Sequence, residues 1–461
     1  MNPQRTTFGR LGVIFATVGS AVGLGNIWRF PYMLGTNGGA AFLLIYILCI
    51  LLLGLPVMIT EFFIGRHTRR NTAGAFKQLA PGTKWTLIGY NGVLAAFLIL
   101  GFYYVIAGWT LEYIFQSIAV PLEGRTTADF DAEFKLFSGS TFRPVLWTLT
   151  FISITHIIVT TGVKKGIERA SKILMPLLFF ILIIMCVRSL TLSGAKEGLD
   201  FLFKPDFSKI SSSTILSSMG QAFFSLSVGM GCLITYSSYF SKKTNLQRTA
   251  LEVTILDTLV AILAGIMIFP AVFHFNIEPT AGVELVFVTL PNVFGQLPLG
   301  NVWSFIFYVL LAVAALTSTI SLHEVATLYI HEEHGATRKR ATLYVSLGVI
   351  ILCILSSLSF GILKQATIFG MTFFELLDYV TAKIMLPLGG MFICIFVGYR
   401  IDKKILKAEL TNKGTISFYF FNSYCFFIKY IAPIAIGMIF LNELGLIQWI
   451  KSLLCSAAHI Q

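Results

Sequence analysis

Asp257 stands in the run Leu256-Asp257-Thr258-Leu259-Val260, inside a stretch apolar enough to cross a bilayer. A carboxylate there costs on the order of 2.5–3.5 kcal/mol on insertion scales, so it is either paired with another helix or binds something. Two strings raise a similar question. Val22-Gly23-Leu24-Gly25, followed by Asn26, and Val228-Gly229-Met230-Gly231 both read Val-Gly-x-Gly within apolar segments. Glycine costs a helix interior roughly 1 kcal/mol relative to alanine and permits unusual backbone angles, so each string reads as a break in a membrane helix. Backbone groups freed by a break cost several kcal/mol in hydrocarbon unless something meets them. Freed carbonyls can coordinate sodium, and the N–H end of a half-helix can receive a carboxylate. One amino acid with sodium satisfies both kinds of group. The hydroxyl run Thr317-Ser318-Thr319 either adds oxygen ligands or back-bonds to its own helix.

Such groups need a membrane scaffold, and the composition supplies one. The 461 residues are 56% hydrophobic and 12% charged, with a mean hydropathy of +0.80, which excludes an ordinary soluble domain. Apolar stretches near 11–34, 40–65, 87–118, 145–162, 170–190, 214–240, 251–275, 301–330, 342–360, 372–399 and 416–441 predict an all-α integral membrane protein of about eleven transmembrane helices. The net charge of +12 is spread over alternate loops, not gathered in one stripe, so nucleic acid is not expected as a partner. Arg66, Arg69, Arg70 and Lys77, then Lys164, Lys165, Arg169 and Lys172, then Lys242, Lys243 and Arg248 mark one face, whereas 276–300 has no Lys or Arg. By the positive-inside rule the N-terminus is cytoplasmic, in a prokaryotic plasma or inner membrane. An odd number of spans leaves the C-terminus outside, or the tail after Gly445 lies on the membrane. The seven cysteines show no pairing or metal-ligand spacing, and no cleavable signal peptide is expected.

The two Val-Gly-x-Gly strings fall in spans one and six. Spans one to five and six to ten therefore read as two halves, 10–190 and 211–399, with 400–461 as an eleventh helix and tail. Five spans per half force opposite orientations, an inverted repeat with helices 1 and 6 broken. The alternative is chance recurrence of a short pattern.

The run from Gly9 to Arg66, containing "SAVGLGNIWRFPYMLGTNGGAAF", resembles the first two helices of the neurotransmitter:sodium symporters. Further matches are "YYVIAGW" at Tyr103 to Trp109, "GQAFFSLSVGMG" at Gly220 to Gly231, "LDTLVAILAG" at Leu256 to Gly265 and "ALTSTISL" at Ala315 to Leu322. The resemblance covers essentially the whole chain as one transporter domain, 1–461, and implies two sodium sites. Sodium 1 would use Ala21, Asn26, Ser225 and Asp257; sodium 2 would use Gly19, Val22, Ala314, Thr317 and Ser318. For substrate it implies Ala21, Gly23, Gly25 and Tyr103 around a carboxylate, with Ile99, Phe224, Ser227, Met230, Thr319 and Leu322 lining the pocket. Chloride-dependent relatives carry asparagine and serine where this chain has Asp257 and Ala261, so no chloride requirement is expected.

Gly23 stands where monoamine transporters hold an aspartate, which favours free amino acids. Met230 between two glycines resembles bacterial transporters of hydrophobic and aromatic amino acids. The resemblance further implies gates at Arg29 and Asp378 outside and at Tyr239 and Glu332 inside. The N-terminal "RTTFGR" is one residue short of the usual spacing and has Phe8 for tryptophan, which leaves Arg5 without an assigned role; Lys383 has none either. Gly166 and Pro176 reproduce a spacing at which relatives unwind their fifth span. The expected partners are a hydrophobic amino acid, sodium and membrane lipid. An enzyme is not expected, because His331-Glu332-Glu333-His334 lacks the H-E-x-x-H spacing. A substrate-sensing receptor on the same fold is the other reading.

Overall fold

A computed structural model describes residues 6–275 and 285–446. Among them, nine helices are long and apolar enough to cross a membrane, and a tenth passage is the pair Arg10–Ala21 and Gly25–Thr36, bent by 51°. The expected total of about eleven counts one more interrupted pair, Ser212–Ser225 and Cys232–Ser237, as a span. The protein is an all-helical, multi-pass membrane protein.

Both breaks have local causes. The first helix ends at Ala21, Val22 turns extended, and the chain resumes at Gly25 in a wide π-helical turn before Pro31 enters the first turn of Phe30–Thr36. The second break runs from Leu226 to Gly231, where Ser227, Gly229 and Gly231 take positive φ values of 54°, 86° and 77°. Three left-handed residues so close together cannot continue a right-handed helix. Ser211 and Thr214 form a capping box at the start of that segment, as Thr372 and Glu375 do before the helix Phe373–Asp378.

The first interrupted helix packs on Gly300–Glu333, Arg169–Leu190 and Leu246–His274. Gly300–Glu333 and Thr86–Ala119 lie along each other as the longest pair in the molecule, forming a wall beside the breaks. Five other π-helical turns widen Ile50–Gly54, Val163–Glu168, Leu285–Thr289, Tyr379–Met385 and Phe427–Ile431. Gly166 lies in one of them, and the helix from Arg169 to Leu190 then continues through Pro176. Short helices at Thr72–Leu79, Thr127–Gly139, Ala195–Phe203 and Lys403–Leu410 join the long ones.

Candidate substrate and ion site

The two breaks meet through one hydrogen bond in which Ser227 Oγ donates to the carbonyl of Ser20 at 2.8 Å. Beside it, Asn26 Nδ2 donates to Asp257 Oδ1 at 2.8 Å and to Ser225 Oγ at 3.0 Å, while Ser225 Oγ donates to Asp257 Oδ2 at 2.6 Å. All three are buried. They come from the first interrupted helix, the second, and Leu246–His274, so the chain pairs a buried carboxylate with neutral dipoles and no cation touches it in this cluster. Ala21 lies in the last turn of helix before the first break.

A second cluster lies on the other side of that break. Ser318 Oγ donates to the carbonyl of Val22 at 3.2 Å, and Thr317 Oγ1 donates to the carbonyl of Ala314 at 2.9 Å. A Cβ added to Gly19 would meet Thr317 Cβ at 3.1 Å, so glycine lets this helix approach closely. Gly19, Val22, Ala314, Thr317 and Ser318 thus converge, and every polar group they offer is a hard oxygen.

Between the clusters, the N–H of Leu24 donates to the hydroxyl of Tyr103 at 3.0 Å. A Cβ on Gly23 would lie 2.4 Å from Ser318 Oγ and 2.8 Å from the Tyr103 hydroxyl, which leaves no room for the aspartate of monoamine transporters. Phe224 covers Gly25, and the Arg29 guanidinium lies over the Phe224 ring, 4.2 Å from its centroid. Met230, Leu322 and Ile99 are buried apolar groups. Thr319 is held by its own helix, donating to the carbonyl of Leu316, and by Thr155 at 3.0 Å. Asp378 ends the helix Phe373–Asp378, and Lys383 lies 5.4 Å from the Tyr379 ring centroid in the π turn that follows.

A model of the sodium:neurotransmitter symporter family matches residues 5–131 and 138–452. The chain belongs to that family. Sodium use and transport across a membrane come with membership. This symporter is 40% identical over 440 residues to an uncharacterized sodium-dependent transporter of Bacillus subtilis (strain 168), covering 95% of this chain and 98% of the relative. It is 39% identical over 457 residues to an uncharacterized sodium-dependent transporter of Haemophilus influenzae, covering 96% and 99%. Among solved structures, it is similar to the crystal structure of MhsT in complex with L-phenylalanine, with a TM-score of 0.88 and 45% identity over 96% of this chain and 100% of that one.

The symporter also uses groups that the sequence reading passed over. Tyr46 donates its hydroxyl to Ser225 Oγ at 3.1 Å, and Gln221 Nε2 donates to the carbonyl of Gly25 at 3.3 Å. Glu61 is buried, and its Oε1 accepts the N–H of Gly229 at 2.7 Å, holding the second break. A carboxylate in the apolar run "LPVMITEFFIG" was a signal as strong as Asp257.

On the face bearing the N-terminal helix, Tyr239 and Glu332 line one cavity of about 1160 Å³. Tyr239 donates to Glu324 Oε1 at 2.6 Å, and Arg338 binds the same carboxylate with two nitrogens, at 3.0 and 2.5 Å. Glu332 accepts from the backbone and side chain of Asn71 at 2.7 and 3.1 Å. Phe8 packs edge-on against Tyr236 and Tyr239, so a ring fills the place despite the loss of tryptophan. Arg5 lies outside the described residues. No cluster of three or more His, Cys, Asp or Glu that could hold a metal occurs among the described residues, and His331 Nδ1 is hydrogen-bonded with the carbonyl of Ala336.

Proposed function

We propose that the protein imports hydrophobic or aromatic L-amino acids with sodium, by alternating access and without a chloride requirement. The observation that carries this reading is the closure of Asn26, Ser225 and Asp257 on one another beside two helix breaks. In it, one sodium is held by the Ala21 carbonyl with Asn26, Ser225 and Asp257. A second is held by the carbonyls of Gly19, Val22 and Ala314 with the hydroxyls of Thr317 and Ser318. Hard oxygen donors suit a hard cation. The substrate carboxylate takes the Tyr103 hydroxyl and the backbone N–H groups freed around Gly23 and Gly25, at the positive end of the second half-helix.

Its side chain lies among Ile99, Phe224, Ser227, Met230, Thr319 and Leu322, where a flexible thioether adapts to different shapes. The similar structure that holds L-phenylalanine supports this substrate class. Asp257 supplies the fixed negative charge that an anion supplies elsewhere, with Ala261 in place of a serine. Sodium favours the outward-open form, and substrate allows Arg29, Asp378 and Phe224 to close. Tyr239 and Glu332 border the inner exit. The two repeats, 10–190 and 211–399, move against each other, in a prokaryotic plasma or inner membrane with the N-terminus in the cytoplasm. The basic loops support that orientation.

The test is uptake of labelled L-phenylalanine and L-leucine into proteoliposomes under an inward sodium gradient, in chloride and in gluconate. Sodium-driven accumulation that survives gluconate in the parent and is lost there in Asp257→Asn is the expected result. Sodium-dependent binding with no accumulation would favour a sensor, and a chloride requirement in the parent would remove Asp257's assigned role.

A further inference from the structure

A cavity of about 490 Å³ opens between the start of the helix Thr86–Ala119 and the middle of Phe373–Arg400. One end is apolar, walled by Leu87, Ile88, Leu388 and Phe392; the other is the exposed Lys84 with Thr83. Leu87 is 63% exposed and Phe392 40%, on two helices apolar enough to cross a membrane, so the cavity opens sideways to lipid. Its polar groups are met internally, as hydrocarbon requires. Asn91 Nδ2 donates at 2.9 Å to the carbonyl of Met385, in the π turn of the facing helix, and Thr83 Oγ1 donates to the carbonyl of Ala80 at 2.8 Å. Lys84 lies just before the N-terminal turn of a 34-residue helix, where the macrodipole also favours an anion. From Lys84 to Asn91 the groove runs roughly 10 Å along the helix axis. A cation at the mouth and an apolar trough behind it complement an amphiphile with an anionic head.

We propose that this groove binds one anionic phospholipid, with its phosphate on Lys84 and one acyl chain lying between Leu87 and Phe392. Its floor is Gly389, where an added Cβ would lie 2.6 Å from the carbonyl oxygen of Gly229. The lipid therefore abuts the wall against which the second break is packed, one residue away from the left-handed stretch. Occupancy supports that wall on its lipid side.

The test is native mass spectrometry of the delipidated full-length protein, titrated with dioleoylphosphatidylglycerol and, separately, with dioleoylphosphatidylcholine. The parent is expected to retain one phosphatidylglycerol about tenfold more tightly than phosphatidylcholine. Lys84→Glu should abolish that preference, and Leu388→Trp, which fills the trough, should weaken both lipids. Leu87→Trp provides a second filling variant if Leu388→Trp fails to fold. Equal retention of the two lipids by the parent would overturn the proposal, as would an unchanged preference in Lys84→Glu. Lipid retention that survives both filling variants would place the lipid elsewhere and also overturn it. If filling the trough changes the mass of the protein assembly and not its lipid load, the occupant is another copy of the chain.

Discussion

Gly23 and Glu61 are the residues on which the geometry bears most directly. A methyl group at Gly23 would press on Ser318 Oγ and the Tyr103 hydroxyl together. Overpacking of that kind costs about 1–3 kcal/mol, so Gly23→Ala should weaken apparent substrate affinity by roughly 10- to 100-fold, read from concentration-dependent uptake. Unchanged affinity would mean that substrate does not lie there. Glu61→Ala strips the acceptor from the N–H of Gly229 in a buried position, a cost of about 1–3 kcal/mol. Its thermal midpoint in detergent should fall, whereas Glu61→Gln, which keeps an acceptor, should stay near the parent. Asn26, Ser225 and Asp257 were legible because a polar group in an apolar run demands a reason. Tyr46, Glu324 and Arg338 were not, because a tyrosine in a membrane helix or an arginine in a loop is ordinary until its distant partner is known.

At the scale of elements, one joint fastens the end of the helix Ala40–Thr68 to the short helix Lys403–Leu410. The Arg66 side chain is 1% exposed; its Nε donates to Glu409 Oε1 at 2.6 Å and its Nη1 to Asn412 Oδ1 at 2.8 Å, with the carbonyls of Thr244 and Glu409 as further acceptors. Burial disfavours the charged Glu409 carboxyl, but His67, Arg66 and Lys242 together outweigh it and hold the group at about 2, below its ordinary 4.5. A carboxyl depressed on folding stabilises fully above its unfolded value and loses that contribution as pH falls towards the folded one. Glu409→Gln should therefore lower the thermal midpoint by the same amount at about pH 8 and about pH 6, with the gap narrowing below about pH 4. A gap that widens on acidification would contradict the assignment. The long helices were legible from apolar length alone, within a few residues at most ends. Lys403–Leu410 and Thr72–Leu79 were not, since helices of eight residues leave no membrane-length signature.

Over the whole molecule, the proposed coupling sets a ceiling. At about 100 mV each sodium gains roughly 2.3 kcal/mol on entry, and a tenfold gradient adds about 1.4. Two ions thus supply about 7 kcal/mol, enough for roughly 10⁵-fold accumulation of a zwitterion. Collapsing the voltage with an ionophore at fixed sodium should lower the accumulation limit by a factor of order 10³, and a limit indifferent to voltage would exclude two-ion coupling. The all-helical class and the broken pair were legible because glycine and hydrophobic length act locally, whereas the packing that brings span one beside Gly300–Glu333 depends on contacts nearly 300 residues apart. The six π turns carry a genetic consequence. Each wide turn accommodates one residue more than an α-helix needs, so deleting a single residue there can restore regular winding without breaking the span. Everything beyond the deletion then rotates by about 100°. A one-codon loss within Tyr379–Met385 would swing Gly389 away from Gly229 and bring a side chain against the break. Deletions of one codon inside these membrane helices should therefore act as changes of facing, silent in hydropathy and severe in function.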